Sequence, residues 1–401
     1  MSLGFLAFRN MVSKPLNLLL SLLLLVLSVS LVTFVLQLSK QLGSQLDKNI
    51  APFDMVVGAK GSPLQLVLSS VLHVDVPTGN ILMEEAEFLN KSPFIEAAIP
   101  VSYGDNYKGY RILGTEHAYL DKYQAVLSEG NLFTKPFEVV VGGIVAQKLG
   151  LKVGDTFVSS HGLASTSIEA HEDHPFVVKG LLKPTGTVID RLLITNLESI
   201  WEAHEHGDEH EEEHEKEHEE EREVTSVLVK FKNPLGMVQL PRFINENTSM
   251  QAAMPGFEIQ RLMGLLGSGV KTINGIALAI LLVSGLSIFI SLLKTIRERR
   301  QELALLRTYG LRTSQLLWLV FLEGLFLTLT GFFMGWLLGR LGIWAASYFT
   351  QASYGYGLQL FGPDLSELIL LGVALLITIL ATLLASTSIF KLNISKTLSD
   401  A

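Results

Sequence analysis

Residues 202–223 form a histidine-rich, strongly acidic segment whose side chains suit metal chemistry better than any others in the chain. Its histidines are His204, His206, His210, His214 and His218, and the last four are spaced by four residues. In a helix this spacing would align them in one stripe, where two imidazoles and nearby carboxylates could ligate Zn²⁺. The alternative is a solvated low-complexity loop. We expect a disordered segment in which weak, multivalent Zn²⁺ binding is an open hypothesis; no catalytic zinc site is predicted.

Deletion of residues 203–221 tests the zinc hypothesis. If the histidines bind the metal, calorimetric titration of residues 53–256, the part of the chain that contains the segment, should show micromolar-range Zn²⁺ binding. Imidazole and carboxylate ligands on a mobile segment give modest affinity. The deletion should abolish that binding. Unchanged Zn²⁺ binding after the deletion would remove the hypothesis.

The remaining sequence carries no linear signature of catalysis. Outside residues 202–223 it contains no nucleophile elbow, no HExxH motif and no phosphate-binding loop. The HExxH spacing occurs only inside the low-complexity segment, at 210–214 and 214–218, and we predict that the chain is not an enzyme. The absence of cysteine excludes a disulfide framework and thiolate chemistry. Residues 202–223 hold thirteen Asp and Glu against Lys216 and Arg222, a net of −11, so the formal net charge of −8 leaves about +3 elsewhere. No basic patch with interleaved aromatics indicates nucleic acid.

Four apolar segments are long enough to span a membrane. They are residues 16–38, 276–293, 316–338 and 368–390. Basic residues before the first span, between the second and third, and after the fourth fall on one side if the spans alternate, which predicts cytoplasmic N- and C-termini. Residues 1–15 are predicted as an interfacial amphipathic helix, 339–367 as an outer loop and 391–401 as a cytoplasmic tail. Arg340 is the exception to the charge pattern, and we expect it to snorkel.

A large extracytoplasmic α+β domain is predicted for residues 53–256, which contain no membrane-length apolar run. Strands are indicated at 137–141, 176–182 and 224–231, which are short runs rich in Val and Leu. Apolar residues spaced helically continue past the first span through 39–52 and lead into the second through 257–275. We therefore expect two helical stalks beneath the domain.

The segment between the second and third spans, residues 294–315, is basic and amphipathic. We expect it to form a short cytoplasmic helix ended by Gly310 and to bind a cytoplasmic partner; an ordinary positive-inside loop is the alternative. The residues proposed for this contact are Arg297, Glu298, Arg299, Glu302, Leu303, Leu306, Arg307 and Gly310.

The third span carries two features of interest. Gly331, Gly335 and Gly339 are spaced by four, which allows close approach of another helix and predicts a helix–helix or subunit interface. Glu323 lies in the same span, where a carboxylate must face protein or water. A helix-packing hydrogen bond is favoured over a proton relay, because no second acidic residue or histidine was identified in a span.

These features together resemble the MacB/FtsX-type permeases of ABC transporters, a family that includes the lipoprotein-releasing permeases. The similarity is carried by residues 6–10 (LAFRN), 141–157 (VGGIVAQKLGLKVGDTF), 179–190 (KGLLKPTGTVID) and 297–310 (RERRQELALLRTYG), with Glu323 and the glycines of the third span. Their order and the arrangement of one span, a large domain and three spans support the resemblance.

The resemblance implies a non-catalytic permease subunit of a bacterial inner membrane, embedded in lipid. Such a subunit forms a homodimer and binds two copies of a cytoplasmic ABC ATPase, which carries ATP and magnesium, so no cofactor is expected on this chain beyond weak zinc. ATP-driven motion would be transmitted to the periplasmic domain, with a periplasmic binding protein as a further partner. Multidrug-efflux members carry a fused ATPase domain; this sequence has none, so the ATPase is expected on another chain.

Three functions stay open at the level of sequence. The first is a transporter permease whose cargo is metal-linked, a lipoprotein or another envelope substrate. The second is an FtsX-like signalling module that controls a periplasmic partner such as a cell-wall hydrolase. The third is a metal sensor or buffer that acts through residues 202–223. Cargo-stimulated ATP hydrolysis favours the first function and a co-purifying hydrolase favours the second.

Overall fold

The computed structural model describes residues 4–5, 9, 15–159, 175–205, 222–298, 305, 308–354, 357–358, 360, 362 and 364–390. The chain divides into two compact units. The membrane unit comprises Met1–Gln41, Leu266–Phe349 and Gly357–Ala401, and the outer unit comprises Leu42–Leu265 and Thr350–Tyr356. Among the described residues, four helices are long and apolar enough to cross a membrane, as the sequence predicts.

These helices are longer than the predicted spans. They are α1 (Pro15–Ile50), α9 (Pro255–Glu298), α10 (Thr313–Tyr354) and α11 (Leu365–Phe390). Helix α1 includes most of the predicted first stalk, and α9 includes the second. The prediction of an outer loop at 339–367 was wrong for its first part, because α10 continues to Tyr354. The residues beyond the apolar run still favour a helix, since no proline or helix-ending glycine interrupts them.

A mixed sheet forms the centre of the outer unit. Its strands run in the order β12-β1-β11-β3-β4-β9-β6-β8-β5, with β7 paired to β8, and β10 pairs separately with β2. The strands are β1 (Met55–Ala59), β2 (Ile81–Leu82), β3 (Ile95–Tyr107), β4 (Tyr110–Thr115), β5 (Leu127–Gly130), β6 (Glu138–Val141), β7 (Thr156–Phe157), β8 (Phe176–Leu182), β9 (Leu193–Thr195), β10 (Glu223–Val224), β11 (Ser226–Phe231) and β12 (Met250–Ala253). The predicted strands at 137–141 and 176–182 are confirmed. The prediction at 224–231 is confirmed for β11, whereas Val224 belongs to β10, which pairs with β2 in the separate sheet.

Short helices cover the sheet and its ends. They are α2 (Pro63–Ser70), α3 (Met83–Ala86), α4 (Phe88–Lys91), α5 (His117–Lys122), α6 (Gly143–Leu149), α7 (Leu197–Glu205) and α8 (Pro234–Asn247). Their ends follow local rules: Ser62 and Asn233 are N-caps followed directly by proline, and α6 ends at Gly150 in the left-handed conformation,. Strand β12 lies at one edge of the sheet, where the side-chain amide of Asn245 bonds both the N–H and the C=O of Ala252 and so blocks further strand pairing.

Candidate functional site

The two long helices that leave the membrane unit end in the same hydrophobic core of the outer unit. From α1, Ile50 is buried in this core and Leu46 packs against it; from α9, Ile259 is buried and Leu262 and Met263 pack against it. Buried apolar side chains at close-packed density resist displacement relative to one another. We call the residues 45–50 and 259–263 with their contacts the stalk–domain junction.

Directional hydrogen bonds supplement the packing at this junction. Lys48 Nζ donates to the carbonyl of Thr185 at 2.8 Å, and Gln45 Nε2 donates to the carbonyl of Gly186 at 2.8 Å. From the residue that follows α5, Tyr123 Oη donates to the carbonyl of Asn49 at 3.1 Å. Helix α1 is therefore held both by its apolar face and by its polar side chains.

The loop that receives Lys48 and Gln45, residues 183–190, is shaped by a buried carboxylate. Asp190 accepts hydrogen bonds from the backbone N–H groups of Thr185 and Gly186 and from Thr185 Oγ1, at 2.7 to 3.0 Å, and is fully buried. Gly186 has φ +69, a conformation that glycine adopts without strain. This is the loop of the 179–190 motif, so that motif has a structural account: it positions carbonyl acceptors for the first stalk.

A histidine bonded to two tyrosines lies in the same unit. His73 Nδ1 is 2.6 Å from Tyr103 Oη, and His73 Nε2 is 2.8 Å from Tyr119 Oη. Because Tyr103 donates its hydroxyl proton to the carbonyl of Ser69, it must accept from His73, which assigns the proton to Nδ1. Nε2 then accepts from Tyr119, and the ring is neutral. Sequence reasoning missed this cluster because its members are far apart along the chain.

Stability of the outer unit should depend on the charge of His73. Burial, and secondarily the charge of Arg111, lower the pKa of His73 from 6.5 to about 3. As the pH falls below 6.5 the unfolded chain binds a proton that the folded chain excludes, so stability is complete above pH 6.5 and is lost progressively towards pH 3. Between pH 7 and 5 we expect the free energy of unfolding to fall by up to about 1.4 kcal/mol per pH unit from this residue.

Urea unfolding of the detergent-solubilised chain at several pH values measures this dependence. His73→Asn removes the titrating ring and keeps a side chain that tolerates the left-handed backbone of this position, φ +56,. The variant should show a shallower pH dependence than the wild type, and His117→Asn serves as the control. Equal slopes in the wild type and His73→Asn would contradict the prediction.

In the membrane unit, the glycine stripe of α10 packs against α1. A Cβ built at each position would meet α1 closely: at Gly331 it lies 2.6 Å from Leu25 Cδ2, at Gly335 2.8 Å from the Val26 carbonyl oxygen and from Val29 Cβ, and at Gly339 2.9 Å from Thr33 Cβ. At these distances a larger residue would require the two helices to shift apart locally. The two helices are parallel, because the partner numbers on α1 rise with those on α10.

Glu323 is buried in the membrane unit, with 6% of its surface exposed. A Cβ built at its neighbour Gly324 would lie 3.0 Å from Thr382 Oγ1 and 3.3 Å from Thr378 Cγ2 of α11. Further along α10, Thr328 shares a hydrogen bond with Thr378. This region of α10 therefore packs on α11. Burial of the carboxylate agrees with the expectation that it faces protein.

The structure corrects the expectation for Arg340. It is 7% exposed and does not snorkel; its Nη2 forms an ion pair with Glu367 Oε1 at 2.7 Å. The sequence offered a signal for Glu367: Asp364-x-x-Glu367 directly precedes an apolar run. This is a variant of the capping box, and in α11 Glu367 Oε2 accepts from the Asp364 N–H at 3.2 Å.

The predicted cytoplasmic contact lies mostly outside the described residues, as Arg299, Glu302, Leu303, Leu306 and Arg307 do. Of the rest, Arg297 is exposed in the last turn of α9, and Gly310 lies in a turn with φ +94, where a helix end is expected. Glu298 is the last residue of α9. A cavity of about 360 Å³ is lined by Phe289, Ile290, Leu293, Lys294 and Arg297.

The histidine segment also lies mostly outside the described residues, as His206, His210, His214 and His218 do, and His204 is placed only as a backbone position near the end of α7. Within the described ranges, no group of three or more His, Cys, Asp or Glu could hold a metal ion. The segment's two ends are fastened together, because Trp201 Nε1 donates to the carbonyl of Glu223 at 2.7 Å and Arg222 stacks on the Trp201 ring.

Sequence families match both units of this architecture. The family described as MacB-like periplasmic core domain matches residues 18–240, and the family described as FtsX-like permease C-terminal matches residues 274–394. The fold and the matches define a membrane permease. The chain belongs to the MacB/FtsX-type permease family of ABC transporters.

Solved structures of periplasmic or extracellular regions are similar to this chain at low identity. The periplasmic region of MacB from Actinobacillus actinomycetemcomitans is 12% identical with a TM-score of 0.36, over 54% of this chain and 97% of that one. The extracellular domain of the noncanonic ABC-type transporter YknZ from Gram-positive bacteria is 12% identical with a TM-score of 0.31, over 49% of this chain and 98% of that one. Among curated proteins, no sequence matches this chain.

Proposed function

We propose that this permease transmits the ATP-driven motion of a separate cytoplasmic ATPase to its outer domain. The stalk–domain junction is the observation that carries the proposal. Helices α1 and α9 each contain residues of both units, and both end in one core of the outer unit. A displacement of either helix at that end must move the sheet, because buried side chains and the bonds of Gln45 and Lys48 leave no compliant link.

The finer features of this function follow the family. The chain forms a homodimer in the bacterial inner membrane with both termini in the cytoplasm, and two ATPase copies bind residues 294–315. The outer unit lies in the periplasm, where it meets cargo or a periplasmic binding protein. The histidines of residues 202–223 favour a metal-linked cargo over a lipoprotein; control of a wall hydrolase is the alternative in a different functional class.

Isolation of the tagged chain from its native membrane tests the proposal. Mass spectrometry should identify a co-isolated cytoplasmic ABC ATPase, and the complex should hydrolyse ATP. Because the chain lacks cysteine, Lys152→Cys at an exposed position gives a single attachment point for a nitroxide label. The label reports the distance between the outer units of two copies. That distance should differ between the nucleotide-free and vanadate-trapped complexes. ATP hydrolysis with no change in the distance would contradict the transmission of motion to the outer unit. Failure to recover any ATPase would contradict the proposed ATPase partner.

A further inference from the structure

A buried carboxylate joins three of the four membrane helices at one end of the membrane unit. Glu367, at the start of α11, is 2% exposed. It accepts from Gln37 Nε2 of α1 at 3.0 Å, from Trp336 Nε1 of α10 at 3.0 Å and from Arg340 Nη2 of α10 at 2.8 Å. We call Glu367 and these donors the carboxylate hub. Its α1 member, Gln37, precedes Leu42, the residue at which the outer unit begins along the chain.

Arg340 also donates hydrogen bonds to the segment that precedes α11. Its Nη1 donates to the carbonyl of Leu360 at 3.2 Å and its Nη2 to that of Gly362 at 2.7 Å. Arg340 Nε is buried and has no hydrogen-bond partner among the described residues. Removing both charges from a buried ion pair is often neutral, whereas removing one is costly.

The glycine stripe supplies adhesion between α1 and α10 but does not define their register. On α10 the stripe repeats every four residues, and the facing residues of α1, Leu25, Val29 and Thr33, repeat at the same interval. A slip of one turn, about 6 Å at 1.5 Å per residue, would again place a side chain of α1 against each of two glycines. At these three glycines the packing is close to degenerate between neighbouring registers, whereas the fourth contact, Gly342 with Phe34, has no second glycine one turn away.

The hub removes this degeneracy, because it occurs once and its bonds are directional. A one-turn slip would carry the Gln37 amide away from Glu367 by far more than a hydrogen bond tolerates. It would also leave Glu367 with a vacant acceptor position in a buried site. We propose that the hub of Gln37, Trp336, Arg340 and Glu367 sets the register of α1 against α10. Buried polar groups fix the register of soluble helical assemblies by the same physics.

Disulfide trapping in membranes measures the register directly, since the native chain has no cysteine. The pair T33C with G339C reports the register of the structure. The pairs V29C with G339C and T33C with G335C report a one-turn slip in either direction. Each pair replaces one glycine of the stripe and therefore perturbs the packing to a similar extent. With the hub intact we expect the first pair alone to cross-link, because Cα atoms a turn further apart exceed the reach of a disulfide.

Removal of the hub should redistribute these products. In Arg340→Leu with Glu367→Leu, the native cross-link should fall about two-fold or more and a slipped cross-link should appear, as expected for two registers of similar energy. Gln37→Leu, which keeps the ion pair, should show the same change to a smaller extent and decides the question if the double variant is not recovered from membranes. Lys40→Leu removes only an ion pair with Asp364 whose lysine is 63% exposed, and it should leave the native product unchanged.

The proposal would be overturned if the double variant formed only the native cross-link. If the double variant is not recovered, the same result in Gln37→Leu would overturn it. A slip of equal size in Lys40→Leu would also overturn it, because the effect would then not be specific to the hub. The measurement needs neither ATP nor a partner. Its outcome is therefore independent of whether the chain transmits motion for an ATPase.

Discussion

Gly335→Ala is expected to destabilise the membrane unit and to impair any activity that depends on the contact between α1 and α10. The added Cβ would lie 2.8 Å from the Val26 carbonyl oxygen and 2.8 Å from Val29 Cβ. A backbone carbonyl cannot rotate away as a side chain can, so the helices must separate. Overpacking of this kind costs about 1–3 kcal/mol, which would lower the thermal unfolding midpoint of the detergent-solubilised chain by several degrees.

Gly372→Ala is the matched control, because Gly372 lies within α11 of the same unit and a Cβ there meets no atom within 4 Å. Alanine has the higher helix propensity, by about 1 kcal/mol in water, so this variant should unfold at the wild-type temperature or above. Gly335→Val should be worse than Gly335→Ala. A Gly335→Ala protein that unfolds at the same temperature as Gly372→Ala would show that the close approach of α1 is not required.

Leu305→Pro is expected to release the cytoplasmic ATPase while leaving the chain in the membrane. Leu305 is helical and exposed, and its carbonyl accepts from Tyr309 N at 3.0 Å and Thr308 Oγ1 at 2.7 Å. Proline removes a backbone donor and clashes with the preceding turn, at a cost of about 3 kcal/mol. If the partner binds this helix as a formed element, that cost corresponds to roughly a hundred-fold loss of affinity.

The amount of ATPase recovered per tagged chain measures this loss. Leu305→Ala keeps the helix and is the control for the side chain. Charge reversal at Arg299 together with Glu298 and Glu302 should act in the same direction through the surface of the segment. Insertion, measured by resistance to alkaline extraction, should be unchanged in every variant. Normal recovery of the ATPase with Leu305→Pro would count against residues 294–315 as the binding site.

Local sequence patterns were sufficient for the elements of this fold but not for its long-range pairings. The apolar runs predict the membrane helices, and short runs rich in Val and Leu predict β6, β8 and β11. Neither pattern states that β11 lies between β1 and β3 or that β6 lies between β8 and β9. Strand order depends on burial of complementary faces across the whole unit, which residue spacing does not encode.

Arg340 shows where reasoning from single segments fails. An arginine near the end of an apolar run is expected to reach for water, because its partner cannot be seen within the run. Glu367 belongs to a different helix, and placement of the fourth span from residue 368 excluded it. Arg340 and Glu367 meet only in the folded chain, where the turn before α11 lies beside α10. The Asp364-x-x-Glu367 pattern would have extended the helix to include it.

The attachment of α1 to residues 183–190 uses main-chain acceptors at both of its loop contacts. Lys48 and Gln45 donate to carbonyl oxygens of Thr185 and Gly186, not to side chains. The identities of exposed side chains in this loop are therefore free to drift over evolutionary time while the attachment persists. Asp190 and the glycine have no such freedom, because they dictate where those carbonyls point. Relatives of this chain should thus keep Gly186 and Asp190 and vary at the exposed positions around them. Introducing this glycine and aspartate at the same spacing into another loop should reproduce the carbonyl acceptors that bind the first stalk.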